Sequence, residues 1–390
     1  MTARLRCITL LLALASCGEG IRAFPSGQIS TTLDGGAIDA FVPPDFGVVE
    51  TPRALDVLFV IDNSWSMAQE QINLRRNFGR LIDALRHSAY GSTVDGSGMP
   101  CDPYDNRGCS LPDIQIGVIS TDIGAGRYTN VEGCYRVGGD QGKLQRGTSC
   151  AGLLLDSGFI AIKGGVPNLP IAAHSNAIDA VKDAFACVAT LGTAGCGFEQ
   201  PLAAMKMALS PLNNPGFVRD GAALAIIFIT DEDDCSAKDT AIFDPDQALF
   251  NALGPVTSFR CFEYGVRCNT TGRDTFGQRY NCRSVAPNTT PLYGVQEFVD
   301  FLRTLKPQQH IVIGTIAGPS EPVNVVPDDG MASLAPACST RQTDARPAIR
   351  LKVFTDAFAP NAVFSTICTD DFGPAMGLIA HRIRDVLGLL

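Results

Sequence analysis

The 390-residue chain is short of the side chains that most often carry catalysis. Its four histidines, His87, His174, His310 and His381, are scattered and belong to no motif. A serine nucleophile needs a base within hydrogen-bond reach, and no G-x-S-x-G turn presents one for attack. None of the fourteen cysteines forms a C-x-x-C pair, which speaks against a zinc ribbon. Basic excess is also missing. Lys and Arg number 31 against 40 Asp and Glu, a formal charge of −9. That balance argues against nucleic acid and against an electrostatic hold on anionic lipid, and it suits cations. No repeat or low-complexity tract is visible, and no stretch is long and apolar enough to span a bilayer.

What is present begins at residue 4. Arg4 and Arg6 precede an apolar run of ten residues, 7–16, too short for a permanent membrane helix. The run ends in Leu14-Ala15-Ser16-Cys17, which resembles a bacterial lipobox. The resemblance implies a signal peptide over 1–16, lipidation of Cys17, and a bacterial cell-envelope location at the outer membrane or cell surface. The acyl chains would be the only hold on the membrane, at about 0.8 kcal/mol per buried methylene. An ordinary signal peptide cut after Ser16 is the alternative. Residues 17–52, with "SGQISTTLDGG" and "FVPPDFG", read as a flexible tether.

Twelve cysteines remain once Cys7 and Cys17 are set aside, an even number that an oxidising compartment would join into up to six disulfides. Connectivity does not follow from sequence. Neighbours are the cheapest expectation: Cys101 with Cys109, Cys134 with Cys150, Cys187 with Cys196, and Cys268 with Cys282.

From residue 53 to 390 the pattern is α/β. Continuous apolar runs at 56–61, 114–120, 223–230, 310–317 and 362–367 fit strands buried on both faces of a mainly parallel sheet. Helical spacing joins Phe78, Leu81, Ile82 and Leu85; Ala177, Val181 and Phe185; Leu202, Met205 and Leu209; and Met376, Ile379, Ile383, Val386 and Leu390. The alternation predicts a doubly wound sheet flanked by helices, with ligands at the carboxyl ends of the strands. Spacers near 88–112, 123–170, 233–290 and 318–350 are long for loops and hold nearly all the remaining cysteines. They read as disulfide-rich surface insertions.

The first run, "VLFVI", leads into Asp62, Ser64 and Ser66, a D-x-S-x-S pattern ahead of an amphipathic segment. Alternating side chains in a tight turn can converge, and a hard divalent cation takes oxygen ligands. A later run, "AIIFIT", ends in Thr230-Asp231-Glu232-Asp233-Asp234. These residues resemble a von Willebrand factor A (VWA) domain, in which such loops build a metal-ion-dependent adhesion site. The resemblance implies one divalent cation (Mg²⁺ foremost, Ca²⁺ or Mn²⁺ as alternatives) held by Asp62, Ser64, Ser66 and Asp231. It also implies a protein partner, engaged through an acidic side chain, and no catalytic residue. Two departures stand out. Glu232 replaces a usual glycine, and where the family has a threonine before a helix this chain has Glu199, with Thr193 further upstream. Glu199 is either a third carboxylate at the ion or an acid in the first turn of the helix after Pro201. Two other readings stay open. The ion stabilises the fold while the insertions bind a partner or glycan, or Ser64 or Ser66 serves a hydrolase.

Overall fold

A computed structural model describes residues 51–86, 111–147, 150, 153, 155–170, 176–246, 248 and 250–389. Five strands form its parallel centre: β1 (Ala54–Ile61), β2 (Asp113–Ser120), β5 (Ala222–Ile229), β6 (Ile311–Ala317) and β7 (Ala362–Thr366). They match the five apolar runs to within a residue or two. Two short strands, β3 (Ile160–Lys163) and β4 (Val166–Pro167), extend the sheet antiparallel at one edge. The order is β7-β6-β5-β1-β2-β3-β4.

Strand β1 is buried from Leu55 to Ile61. Side chains alternate across a strand, so Val57, Phe59 and Ile61 enter one core while Leu58 and Val60 enter the other. The first core is closed by α1 (Ala68–Arg86), α2 (Ala177–Val188) and α7 (Gly373–Val386). In it Phe78 of α1 stacks on Phe185 of α2, with ring centroids 3.5 Å apart. The second core is closed by α3 (Pro201–Leu209), α5 (Val295–Leu305) and α6 (Ile349–Asp356). A short helix, α4 (Ser258–Gly265), lies between them in sequence. Helices on both faces are the reason these strands read as unbroken apolar runs.

The spacers are more structured than expected. The segment 123–170 contributes β3 and β4 to the main sheet. The segment 233–290 carries α4. The 318–350 segment holds the hairpin Val323–Asp328/Met331–Leu334, whose first strand also pairs with Gly277–Arg279. Residues from Glu50 to Leu390 form one unit.

Five disulfides tie these segments: Cys134–Cys196, Cys150–Cys187, Cys235–Cys261, Cys268–Cys282 and Cys338–Cys368. The expected pairings Cys134–Cys150 and Cys187–Cys196 are therefore corrected. The four sulfurs exchange partners because each end of the 123–170 segment is sewn to the α2–α3 region, not to its other end. Cys17, Cys101 and Cys109 lie outside the described residues, as do all but residues 51 and 52 of the signal and tether expected over 1–52. Among the described residues no helix is long and apolar enough to cross a membrane.

Candidate metal centre

β1 sits at the topological switch point. From it the chain moves to β2 on one side, and β5 fills the other side. In open α/β sheets the crevice at the carboxyl ends of such strands is where ligands bind. Asp62 follows β1, and Asp231 follows β5 one position beyond Thr230. Asp62 donates its backbone N–H to Ile229 O at 2.9 Å, so the two loops start side by side.

The carboxylate of Asp62 is wholly buried. Its Oδ1 accepts the Ser64 N–H at 2.7 Å, and its Oδ2 accepts the Thr230 hydroxyl at 2.7 Å. Ser64 Oγ and Ser66 Oγ stand 3.2 Å apart. Ser66 is near enough to Asp231 to favour its charged form. The D-x-S-x-S side chains and Asp231 thus gather at one point, ahead of a single 3-10 turn, Trp65–Met67, that leads into α1. The turn buries Met67 and leaves Trp65, the chain's one tryptophan, 81% exposed.

Close backbone approach fixes this loop from the side. Gly195 donates its N–H to Asn63 O at 2.8 Å, and a Cβ on Gly195 would lie 2.2 Å from Asn63 Oδ1. The next residue, Cys196, is bonded to Cys134.

Glu199 is buried just before α3 but does not cap it. That role falls to Asp234, which accepts the Leu202 N–H at 3.1 Å, and to Ser236, which accepts that of Ala203 at 2.8 Å. The Glu199 carboxyl instead feels the charges of Glu232, Asp62 and Asp231. Thr193 is solvent-exposed and has no part in the cluster.

The acidic run 231–234 divides by role. Asp233 accepts the N–H groups of Arg350 and Leu351 at the start of α6, and Asp234 pairs with the Arg350 guanidinium at 2.9 Å. Asp231 and Glu232 turn the other way, toward Asp62 and Glu199. Glu232 and Glu199 also line a cavity of about 10 Å³, room for one water-sized body, with Ser258 and Arg346.

Sequence reasoning passed over Glu70, Thr121 and Glu232 as members of this end. Glu70, in the first turn of α1, accepts the Thr343 hydroxyl. Thr121 follows β2, and its signal was the one that marked Asp62: a polar residue where an apolar run stops.

Electrostatics set this cluster apart. Burial is the first cause that raises the pKa of Asp62, and Glu70 adds to it. Burial also lifts Asp231 well above the usual carboxylate range, with Asp62 and Glu232 adding repulsion. Glu199 is raised likewise, by burial, then Glu232 and Asp62. Glu232 is pushed to about 7, by burial and then by Asp62, against the pull of Ser258 and Arg346.

Acceptors outnumber donors here. Six buried side-chain oxygens lack a hydrogen-bond partner among the described residues, and five lie at this end: those of Asn63, Glu70, Thr121, Glu199 and Asp231. The sixth, on Glu263, faces Arg273 at 2.9 Å. Buried acceptors without donors are costly, and a hard cation is the partner that suits oxygen alone. The donor set therefore fits a divalent ion. No three Asp, Glu, His or Cys side chains among the described residues form an ion-holding group by themselves. Asp62, Glu199 and Asp231 thus do not close on one point as three ligands. Of the expected set, Asp62, Asp231, Ser64 and Ser66 come together at the loop ends, and Glu199 is buried beside them, close enough to feel the charges of Asp62 and Asp231.

No protein-family model matches the chain, and no curated protein does. Among solved structures it is similar to the pilus adhesin SpaC of Lactobacillus rhamnosus GG in an open conformation, at 11% identity and a TM-score of 0.33. The match covers 87% of this chain and 30% of that one, and a likeness so slight carries no argument about function.

Proposed function

We propose that the chain is a divalent-cation-dependent binding module of the von Willebrand factor A type. The observation that carries this reading is the group of donorless oxygens at the carboxyl ends of β1, β2 and β5. Asp62, Asp231, Ser64 and Ser66 would hold the ion. Bound there, it supplies a positive charge that a partner's acidic side chain can complete. The nearby charge of Glu199 would tighten the ion and soften its pull on an outside acid. Five disulfides fit an oxidising compartment, in keeping with export and a lipid anchor at Cys17.

Binding without catalysis fits the position of the described histidines. His310 precedes β6, at the end of the sheet opposite Asp62, and His381 on α7 stands 3.3 Å from Asp385. The deep burial of Asp62, Glu199 and Asp231 favours one further reading, that the ion is structural and the stapled insertions bind the partner. Their exposed Tyr135, Phe276 and Tyr280 support it.

Thermal unfolding with and without Mg²⁺, Mn²⁺ or Ca²⁺ tests the module. Wild type should be stabilised and Asp62→Asn should not respond. A full response in Asp62→Asn would place the ion elsewhere. Loss of partner binding together with the ion would favour the adhesion reading over the structural one.

A further inference from the structure

A row of three residues crosses the ends of the central strands. β1 and β2 pair Ile61 with Ser120, and β1 and β5 pair Ile61 with Ile229. One step further along this register, Asp62 is flanked by Thr121 on one side and Thr230 on the other. Residues opposite one another in a ladder point to the same face. The two threonines differ in one respect. Thr230 spends its hydroxyl on Asp62 Oδ2. The hydroxyl of Thr121, a residue only 1% exposed, has no partner among the described residues.

The backbone of Thr121 is held between two members of the cluster. Its N–H donates to Ile61 O at 3.1 Å, the residue before Asp62. Its carbonyl accepts the N–H of Gln200 at 3.3 Å, the residue after Glu199. A buried hydroxyl left unpaired between two carboxylate-bearing loops is expensive unless something occupies it. Its O–H can serve one of the acceptors in surplus here, but no donor is left for its oxygen lone pairs, and what those can meet is a cation or a water bound to one.

We propose that Thr121 belongs to the ion site, its hydroxyl oxygen holding the divalent cation directly or through one water. The proposal rests on the ion-site reading given above. It adds a third strand end to a site so far built from two. It also separates the two threonines by role: Thr230 orients Asp62, whereas Thr121 faces the ion.

Calorimetric titration with Mn²⁺ of the full folded chain, stripped of metal, tests this. Thr121→Val keeps the shape and removes the oxygen, and Thr121→Ser keeps the oxygen. Thr121→Val should weaken Mn²⁺ binding about tenfold, and Thr121→Ser should bind within about twofold of wild type. In chelator, Thr121→Val should unfold at the wild-type midpoint or above it, since a bare buried hydroxyl is lost. If Thr121→Val does not fold, Thr121→Ala is read against the same outcomes. Wild-type Mn²⁺ affinity in the variant lacking the oxygen overturns the proposal, and if Asp62→Asn has meanwhile lost Mn²⁺ the ion site itself stands. A wild type that takes up no Mn²⁺ overturns both.

Discussion

Strand β1 carries two aspartates, Asp56 and Asp62, six residues apart and both wholly buried. Asp56, toward the amino end, has a cation to itself. Its Oδ1 accepts Arg219 Nε and its Oδ2 accepts Arg219 N, each at 2.7 Å, while Lys306 adds a second positive charge. The Arg219 guanidinium goes on to the carbonyls of Leu55 and Asp113, tying β1 to β2. Asp62, at the carboxyl end, meets one hydroxyl, one amide and the charge of Glu70. Burial raises the pKa of both, but only Asp56 has Arg219 and Lys306 to offset it. On the proposed reading the first end is structure, and the second is kept for a cation from outside.

The largest effect expected from this contrast is on stability. Asp56→Ala leaves Arg219 without its partner and should cost about 3–5 kcal/mol in denaturant unfolding. Asp62→Asn, measured in chelator, should change stability by less than about 1 kcal/mol, because it removes a charge that nothing nearby balances. Equal losses at both positions would break the comparison.

Next comes the ion itself. At 100 times its dissociation constant a divalent cation should stabilise wild type by about 2.7 kcal/mol. The same increment should appear in Asp56→Ala, on a lower baseline, and should vanish in Asp62→Asn.

A smaller effect concerns pH. The folded-state pKa values of Asp62, Glu199, Asp231 and Glu232 are raised, so the metal-free native state binds more protons than the unfolded chain. For such groups stability is full below the unfolded pKa and declines as pH rises through the folded one. For Glu232 that window runs from its ordinary 4.5 to about 7. The metal-free thermal midpoint should therefore fall across it, and saturating Mg²⁺ should flatten the fall. A midpoint that rises with pH in chelator would contradict the charge surplus.

The smallest effect belongs to Glu199. In the proposed ligand set it acts through space, so Glu199→Gln should weaken ion binding by about 1 kcal/mol in calorimetry. Complete loss would make it a direct ligand.

How much of this was legible follows from the same physics. The five parallel strands are written as Val and Ile runs because both their faces are covered. Asp62, Ser64, Ser66 and Asp231 stand out because polar residues end those runs abruptly. Helix α5 is also written, in the spacing of Val295, Phe298, Val299 and Leu302, as one short amphipathic stretch between two cysteine-rich segments. Helix α6 was masked by Arg350, a buried charge whose partner, Asp234, is 116 residues distant. Disulfide pairing and the arrival of Glu70, Thr121 and Glu232 at one end depend on which loops meet in space. Spacing along the chain holds no record of that. Glu199 stood undecided between two roles because the residues that cap α3 in its stead, Asp234 and Ser236, come from another loop.

On the proposed reading a hard cation sits beside Trp65, between the ends of β1 and β5. Terbium takes oxygen ligands as calcium does, and a nearby indole sensitises its emission. The chain has one tryptophan, placed between Ser64 and Ser66. Terbium added to the metal-free protein and excited through the indole should luminesce in wild type and in Asp56→Asn. It should go dark in Asp62→Asn, and Mg²⁺ should compete it away. Undiminished emission from Asp62→Asn, or none from wild type, would contradict the account.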